Sequence, residues 1–305
     1  MIDVEMPSWN GIQEAVSKPR QRLVERITSL QNPRWKMACS LRDRRPRKKS
    51  GWTLIDGVRE CGYALESGAI VESLWIPESL WEGDAIAAEA HRDLDWLVQR
   101  VEENRQGGVF LVPDRMFEAL TFGDRSASVV AVAAWSPQPL VHLQAPIDRP
   151  VLILDRFEKP GNIGAAFRTA EASGAAAVIL CDPMCDVDNP NAIRASQGSL
   201  FLVPCAVASA EQTMGWLKEQ QRNVYAARVD AAPCYTSLPL QQSHAWVIGN
   251  EAMGVQDAWR RAPVRPVRIP MQGKLDSLNA SVTVGILLYE SLRQREGGKE
   301  GKIPC

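Results

Sequence analysis

Apolar positions in the second half of the chain come in short, evenly spaced blocks. VLILD (151–155), AAVILC (176–181), NVYAARV (223–229), AWVIG (245–249) and VRI (267–269) are the nearly continuous apolar runs expected of strands covered on both faces. Between them, residues 163–173 place Ile163, Phe167 and Ala170 on one helical face, and a second helix is predicted around 209–221. A long helix is predicted from Leu278 to about Arg293. Its VGILLY segment (284–289) is apolar almost all the way round, which predicts burial on two sides and suggests a subunit interface. Strands alternating with helices predict a mostly parallel sheet with helices on both faces.

The first half reads as a smaller α/β unit. Asn32 and Pro33 open a predicted helix that runs to about Arg44, and RRPRKKSG (44–51) reads as a basic loop. TLID (53–56), IVESLWI (70–76), VFLV (109–112) and SVVAVAAW (128–135) read as strands. Helices are predicted near Val58 to Glu66, closed by Gly68, and over 93–105 and 114–120. Pro137, Pro139, Pro146 and Pro150 interrupt any periodicity over 136–150, which marks a linker. The expected organisation is a loosely ordered start (1–20), a first domain (21–135), the linker, a second domain (151–295) and a tail (296–305).

Composition adds little to this, but the distribution of charge adds more. The apolar share of 45% and charged share of 23% are ordinary for a globular protein. No run of 18 apolar residues is present, and the first residues carry acids where a secretory signal has an apolar stretch, so a soluble, cytoplasmic protein is expected, with no membrane partner. Seven cysteines without a CxxC pair, and three histidines far from one another, predict reduced thiols and no metal site. The net charge is −1. Residues 18–49 hold twelve Lys or Arg against Glu25 and Asp43, a local +10, which leaves −11 on the rest of the chain. Such a concentration suits a surface that follows phosphates, with Arg44, Arg45, Arg47, Lys48 and Lys49 as the phosphate-binding candidates. A solvated basic tail is the plainer alternative.

Three loops carry unusual content, and loops beyond the carboxyl ends of strands are where open α/β sheets bind ligands. The first, RFEKPGNIGAAFRTAEASG, follows VLILD and contains neither GxGxxG nor GxxxxGK[ST], which argues against a dinucleotide enzyme and a nucleoside-triphosphate loop. Asn162 is placed to cap a helix beginning at Ile163, and Arg168 lies off its apolar face. The second, GNEAMGV (249–255), offers Gly249 for close backbone approach and Glu251 just past a strand end. The third runs from Arg268 to the last helix, where Ser277 and Asn279 sit at the helix mouth. For each side chain a purely structural role, as a cap, a solvated charge or a helix-start acid, stands beside the functional one.

NIGAAFRTAEASGA, VIGNEAMGV and IPMQGKLDSLNASVTVGILLYE resemble the three signature motifs of the SpoU/TrmH family of RNA ribose 2'-O-methyltransferases, in order and spacing. Residues 27–60 are similar to the start of that family's small substrate-binding domain, with Asp56 where glutamate is more usual; Ala252 stands where the second motif usually has glycine. The resemblance implies a C-terminal trefoil-knot (SPOUT) methyltransferase domain behind a smaller N-terminal α/β substrate-binding domain, acting as a homodimer that completes its active site across subunits. It implies S-adenosyl-L-methionine as cofactor, held by Gly249, Ile269 and Leu278 with walls from Ile248 and Met271. It also implies a catalytic set of Asn162, Arg168, Glu251, Ser277 and Asn279. The expected substrate is rRNA rather than tRNA; a catalytically silent RNA-binding or ribosome-assembly factor is the alternative from another class.

Overall fold

The computed structural model describes residues 24–82, 88–103, 107–122, 129–274 and 277–297. The expectations for residues 1–20, the start of the strand at 128, the helix end at 104–105 and the tail from 298 lie outside the described residues.

The N-terminal unit contains β1 (Val24–Arg26), α1 (Pro33–Ser40), α2 (Arg44–Ser50), β2 (Thr53–Asp56), α3 (Val58–Glu66), β3 (Ile70–Pro77), α4 (Glu78–Glu82), α5 (Ala88–Glu103), β4 (Gly108–Val112), α6 (Asp114–Phe117) and β5 (Val130–Ala134). The strands lie in the order β1-β4-β3-β5-β2; β1, β4 and β3 are parallel, while β5 runs antiparallel to both its neighbours. One difference from the sequence reading matters for function. The basic stretch is not a loop: 44–50 form helix α2, ended by Gly51 at φ 75°. Pro46 fits because it stands in the first turn, where no intrahelical acceptor waits for its missing N–H. Asp56 is buried and accepts from the amide of Phe122 at 2.9 Å, a structural position rather than an RNA-facing one.

The C-terminal unit holds β6 (Val151–Asp155), α7 (Pro160–Ala172), β7 (Ala177–Cys181), α8 (Pro190–Ser196), α9 (Ser199–Leu202), β8 (Cys205–Ala208), α10 (Ala210–Glu219), β9 (Asn223–Ala227), β10 (His244–Ile248), β11 (Arg265–Val267) and α11 (Ala280–Gly297). Its six strands are all parallel, in the order β11-β9-β10-β6-β7-β8. The apolar runs are buried as predicted: every residue of β6, β7 and β10 is inaccessible. Helices α8 and α9 and strand β8 were not anticipated; they are short, and their apolar residues follow no clear period. Gly164 on α7 lets α8 approach closely, since a Cβ there would stand 2.4 Å from the Ala192 carbonyl oxygen. Along α11, Val284, Leu287 and Leu288 face the core, whereas Val282 and Tyr289 are about half exposed. One of the two predicted buried sides is therefore covered within the chain. Ser291 fastens that helix to β10, accepting from Trp246 Nε1 at 2.8 Å and pairing with His244 Nε2 at 2.9 Å.

The two units share one apolar core, in which Ile55, Cys61 and Ala131 of the first join Leu152, Phe167 and Leu180 of the second. The proline-rich stretch 136–150 is bound to the second unit: Leu143 is buried, and the buried Arg222 donates to the carbonyls of Ala145, Pro146 and Arg149. No helix among the described residues is long and apolar enough to cross a membrane.

Candidate active site

In the second sheet the chain builds outward from β6 through β7 to β8, then returns on the far side to lay down β9, β10 and β11. Strand order thus reverses between β6 and its neighbour β10. The two connections leaving that point diverge and open a crevice, the position at which open parallel sheets bind ligands. The connection after β6 leads into α7, whose first turn carries Asn162, and the loop after β10 carries Glu251.

Helix α7 begins earlier than the sequence suggested. Pro160 occupies its first turn and Lys159 precedes it as N-cap, so Asn162 does not cap the helix. Its side chain is free to turn outward and donates from Nδ2 to Glu251 Oε1 at 2.8 Å. Asn279 Nδ2 donates to the same oxygen at 2.9 Å and also lies 3.3 Å from Asn162 Oδ1. The amide of Ala280, first residue of α11, points to it at 3.4 Å. The second oxygen, Oε2, is paired with Lys159 Nζ. Glu251 is thus an acid at a helix start, as one reading had it, but the helix is α11, 29 residues further along the chain.

These contacts fix the ionisation of Glu251. The Lys159 ammonium, with help from the Asn162 and Ala280 donors, holds its carboxyl below the usual carboxylate range against an opposing push from burial. Around it lies a cleft of about 110 Å³ lined by Phe157, Glu158, Lys159, Asn162, Asn250, Glu251, Ala252 and Ala280.

The loop that carries Glu251 is shaped by residues that sequence reasoning passed over. Asn250 Oδ1 accepts from the amides of Ala252 and Met253, closing a tight turn, while its Nδ2 donates to the Arg156 carbonyl at 3.1 Å. Gly249 is pressed against that turn; a Cβ would fall 2.3 Å from the Gly254 carbonyl carbon and 2.4 Å from its oxygen. The buried Asp155, at the end of β6, accepts from the Gln256 amide at 2.7 Å and from its Nε2 at 2.6 Å, and burial pushes its carboxyl up. Gln256 Nε2 also reaches Asp182 at 3.0 Å. Arg156 and Asp182, the residues just past β6 and β7, stand at φ 52° and 45°. Such backbone in non-glycine residues is strained and persists because these hydrogen bonds hold it. Asn250 was findable, since an asparagine before a predicted turn is an Asx-turn signal. Lys159 was not, because its partner is 92 residues away.

The remaining predicted residues fall in three groups. Ser277 is exposed and does not cap α11; Asn279 takes that role, its Oδ1 accepting from the Ser281 amide at 2.8 Å. Arg168 is exposed on α7 and makes no hydrogen bond or ion pair among the described residues. Ile248 is buried and Ile269 half-buried against the shared core. Met271 is 36% exposed, and Leu278, half-buried, lies two residues before the Ala280 that meets Glu251. Gly249 follows β10 and Ile269 lies just past β11, with β9 between those two strands. None of Ile248, Gly249, Ile269, Met271 and Leu278 lines the cleft around Glu251; the partly exposed apolar side chains of Ile269, Met271 and Leu278 are of the kind that suits an adenosyl group. Among the described residues no group of His, Cys, Asp or Glu able to hold a metal occurs.

Comparison with known proteins agrees with this geometry. The SpoU rRNA Methylase family matches residues 149–289, and an MRM3-like substrate binding domain matches 32–131. The chain is 31% identical over 293 residues to a 23S rRNA (uridine(2479)-2'-O)-methyltransferase of Streptomyces viridochromogenes, covering 93% of this chain and 98% of that one. It is 27% identical to the 23S rRNA (guanosine(2553)-2'-O)-methyltransferase RlmP of Bacillus subtilis, over 87% and 98% of the two chains. Among solved structures, an AdoMet-bound rRNA methyltransferase from Sinorhizobium meliloti superposes with a TM-score of 0.78 at 26% identity, covering 89% of this chain and 98% of that one. An RNA 2'-O ribose methyltransferase does so with 0.72 at 33%, over 89% and 99%. The chain belongs to the SpoU family of S-adenosylmethionine-dependent RNA ribose 2'-O-methyltransferases.

Proposed function

We propose that this enzyme methylates a ribose 2'-hydroxyl of large-subunit ribosomal RNA, in the cytoplasm, as a homodimer. The observation that carries the reading is the convergence of Asn162 and Asn279, from distant parts of the chain, on the Glu251 carboxylate at the cleft. Two relatives that match over nearly the whole chain are named as 23S rRNA enzymes, and they differ in the nucleotide named, one a uridine and the other a guanosine.

S-adenosylmethionine, when bound, supplies a methyl group already activated by its sulfonium. What the chain must add is alignment of the ribose oxygen and accommodation of the charge that develops on it. Alignment in a near-attack geometry lowers such a barrier by up to roughly 7–11 kcal/mol. Glu251 orients the amides of Asn162 and Asn279 by accepting from both, and Asn162 Oδ1 in turn accepts from Asn279 Nδ2. Arg168 serves as an electrostatic group toward the phosphate and the developing alkoxide, since a guanidinium stays protonated. Its position away from Glu251's contacts, together with the half-exposed Val282 and Tyr289 on α11, favours an arrangement in which a second copy brings its Arg168 to this cleft. Ser277, two residues before Asn279, would orient the ribose. RNA is selected because DNA has no 2'-hydroxyl.

RNA docking falls to α2. Arg45, Lys48 and Lys49 are exposed and have no carboxylate partner among the described residues. Arg47 is instead turned inward, 3% exposed, donating to the carbonyls of Leu41 and Arg42, and is removed from the phosphate-facing set. The test is transfer of label from S-adenosylmethionine to unmodified large-subunit rRNA, with the product mapped at nucleotide resolution. Absence of transfer to that RNA, with transfer to a tRNA pool instead, would overturn the substrate assignment.

A further inference from the structure

Helix α2, the proposed RNA-docking element, is held in place by the other domain. Arg44 makes a two-pronged contact with Asp186, Nε lying 3.0 Å from Oδ2 and Nη2 3.0 Å from Oδ1. Arg47 Nη2 lies 3.8 Å from the same carboxylate. A buried guanidinium with only two carbonyl acceptors needs an anion nearby, and Asp186 is that anion, 22% exposed and contributed across the domain boundary. Just beyond α2, Thr53 Oγ1 donates to the Asp188 carbonyl at 2.6 Å, a second stitch to the same loop. This loop, residues 182–189 after β7, is fastened at its other end to the catalytic cleft. The Met184 amide donates to the carbonyl of Phe157, which lines the cleft, and Asp182 accepts from Gln256 in the loop that carries Glu251. One short loop thus touches the helix that would grip RNA and both loops that form the reaction site.

We infer that Asp186 is a positioning residue for RNA: by clamping Arg44 and Arg47 it fixes the direction in which α2 presents Arg45, Lys48 and Lys49 relative to the cleft. The carboxylate does not touch RNA or cofactor. It acts by making the two domains one template, so that the phosphate grip and the reacting ribose are in register before RNA arrives. This inference rests on the reading of α2 as the docking element, and the experiment separates the two.

Steady-state transfer is measured with in vitro transcribed large-subunit rRNA for the wild type, D186N, D186E, R44Q, R44K and the triple variant R45A/K48A/K49A. S-adenosylhomocysteine affinity by calorimetry serves as the check on folding. D186N is expected to raise KM for RNA about tenfold, with kcat at saturating RNA and S-adenosylhomocysteine affinity within twofold of wild type. D186E should recover most of the loss because it restores the charge, and R44Q, which leaves the Arg47 pairing, should raise KM about threefold. Should D186N lose S-adenosylhomocysteine binding through misfolding, R44K, which keeps the charge on a side chain 60% exposed but loses the two-pronged contact, decides the matter: a KM raised about threefold supports the positioning role and a wild-type KM overturns it. If the triple variant weakens RNA binding while D186N and R44Q keep the wild-type KM, the positioning role is overturned and α2 docking stands. A lower KM in D186N overturns it too, since the carboxylate would then be competing with phosphate for Arg44. If the triple variant itself binds RNA as the wild type does, the docking reading fails first.

Discussion

Replacing Glu251 by alanine removes the acceptor on which the cleft is built. Asn162 Nδ2, Asn279 Nδ2 and the Ala280 amide lose their shared partner, and Lys159 loses its counter-ion. Glu251 is 23% exposed, so water replaces part of what is lost. The two side-chain amide bonds to a carboxylate, discounted for that access, contribute roughly 1 kcal/mol each. Lys159 is fully exposed and contributes orientation rather than stability. A loss of about 2 kcal/mol in a unit of this size lowers Tm by roughly 4–8 °C. The effect on activity is larger, because both asparagines become free to rotate, and a misplacement of about 1 Å costs on the order of 100-fold in rate. E251A should therefore remain folded, melt several degrees early and lose at least about 100-fold in kcat/KM. E251Q should fall between, since its carbonyl oxygen can still accept from both asparagines while its NH2 opposes Lys159. Thermal unfolding by circular dichroism and labelled methyl transfer to rRNA measure the two quantities. An E251A enzyme with wild-type melting and wild-type transfer would refute the reasoning, because no other described acceptor could then be holding both asparagines.

Further outcomes follow from the same geometry. Gly249→Ala places a methyl within 2.3 Å of the Gly254 backbone, which no side-chain rotation relieves; S-adenosylhomocysteine binding measured by calorimetry should disappear in this variant. Arg168→Ala should abolish transfer while leaving cofactor affinity intact, and full activity would remove Arg168 from the mechanism. His244 is buried between Gln242 and Ser291, and burial pushes its pKa down to about 4 from 6.5. A base whose folded pKa is depressed contributes its stability fully above the unfolded value and loses it as pH falls. Urea midpoints should therefore be level above pH 7 and fall between pH 6.5 and 4, by about 3 kcal/mol in total if His244 dominates; a His244→Gln variant should flatten that slope. Sedimentation velocity at micromolar concentration should show a dimer that Val282→Glu with Tyr289→Glu dissociates.

The second sheet was legible because its strands are buried on both faces. VLILD, AAVILC and AWVIG are apolar throughout except for the terminal Asp155, and their ends were found to within a residue or two. Elements that fell short of such contrast were lost. α8 and α9 are a turn or two long, β8 sits at the sheet edge, and the polar α2 has no apolar stripe at all, only a C-terminal glycine to betray it. The site was legible as motifs before it was legible as geometry. Spacing could nominate Asn162, Glu251 and Asn279, but each had an ordinary local role available. What separates the two readings is contact between residues 89, 28 and 117 positions apart, and that is a property of strand order.

That dependence explains why strand order, rather than any single side chain, sets this chemistry. Had β10 been laid down outside β8, the loops bearing Asn162 and Glu251 would end on opposite edges of the sheet, each with the same local sequence and no common cleft. The reversal between β6 and β10 makes them neighbours, and the buried Asp155 at the end of β6 then becomes the natural anchor for the loop arriving from β10. Strained backbone at Arg156 and Asp182 follows from the same crowding, since two connections must turn away from adjacent strand ends in the space of one. The same crossing places α11 against α7, which delivers Asn279 and the Ala280 amide to a carboxylate already held by Asn162. A cleft assembled in this way is rigid because each of its polar groups closes a contact between distant parts of the chain. It follows that substitutions at the crossing, at Gly249 or Asp155, should disturb methyl transfer as severely as substitutions among the residues that face the ribose.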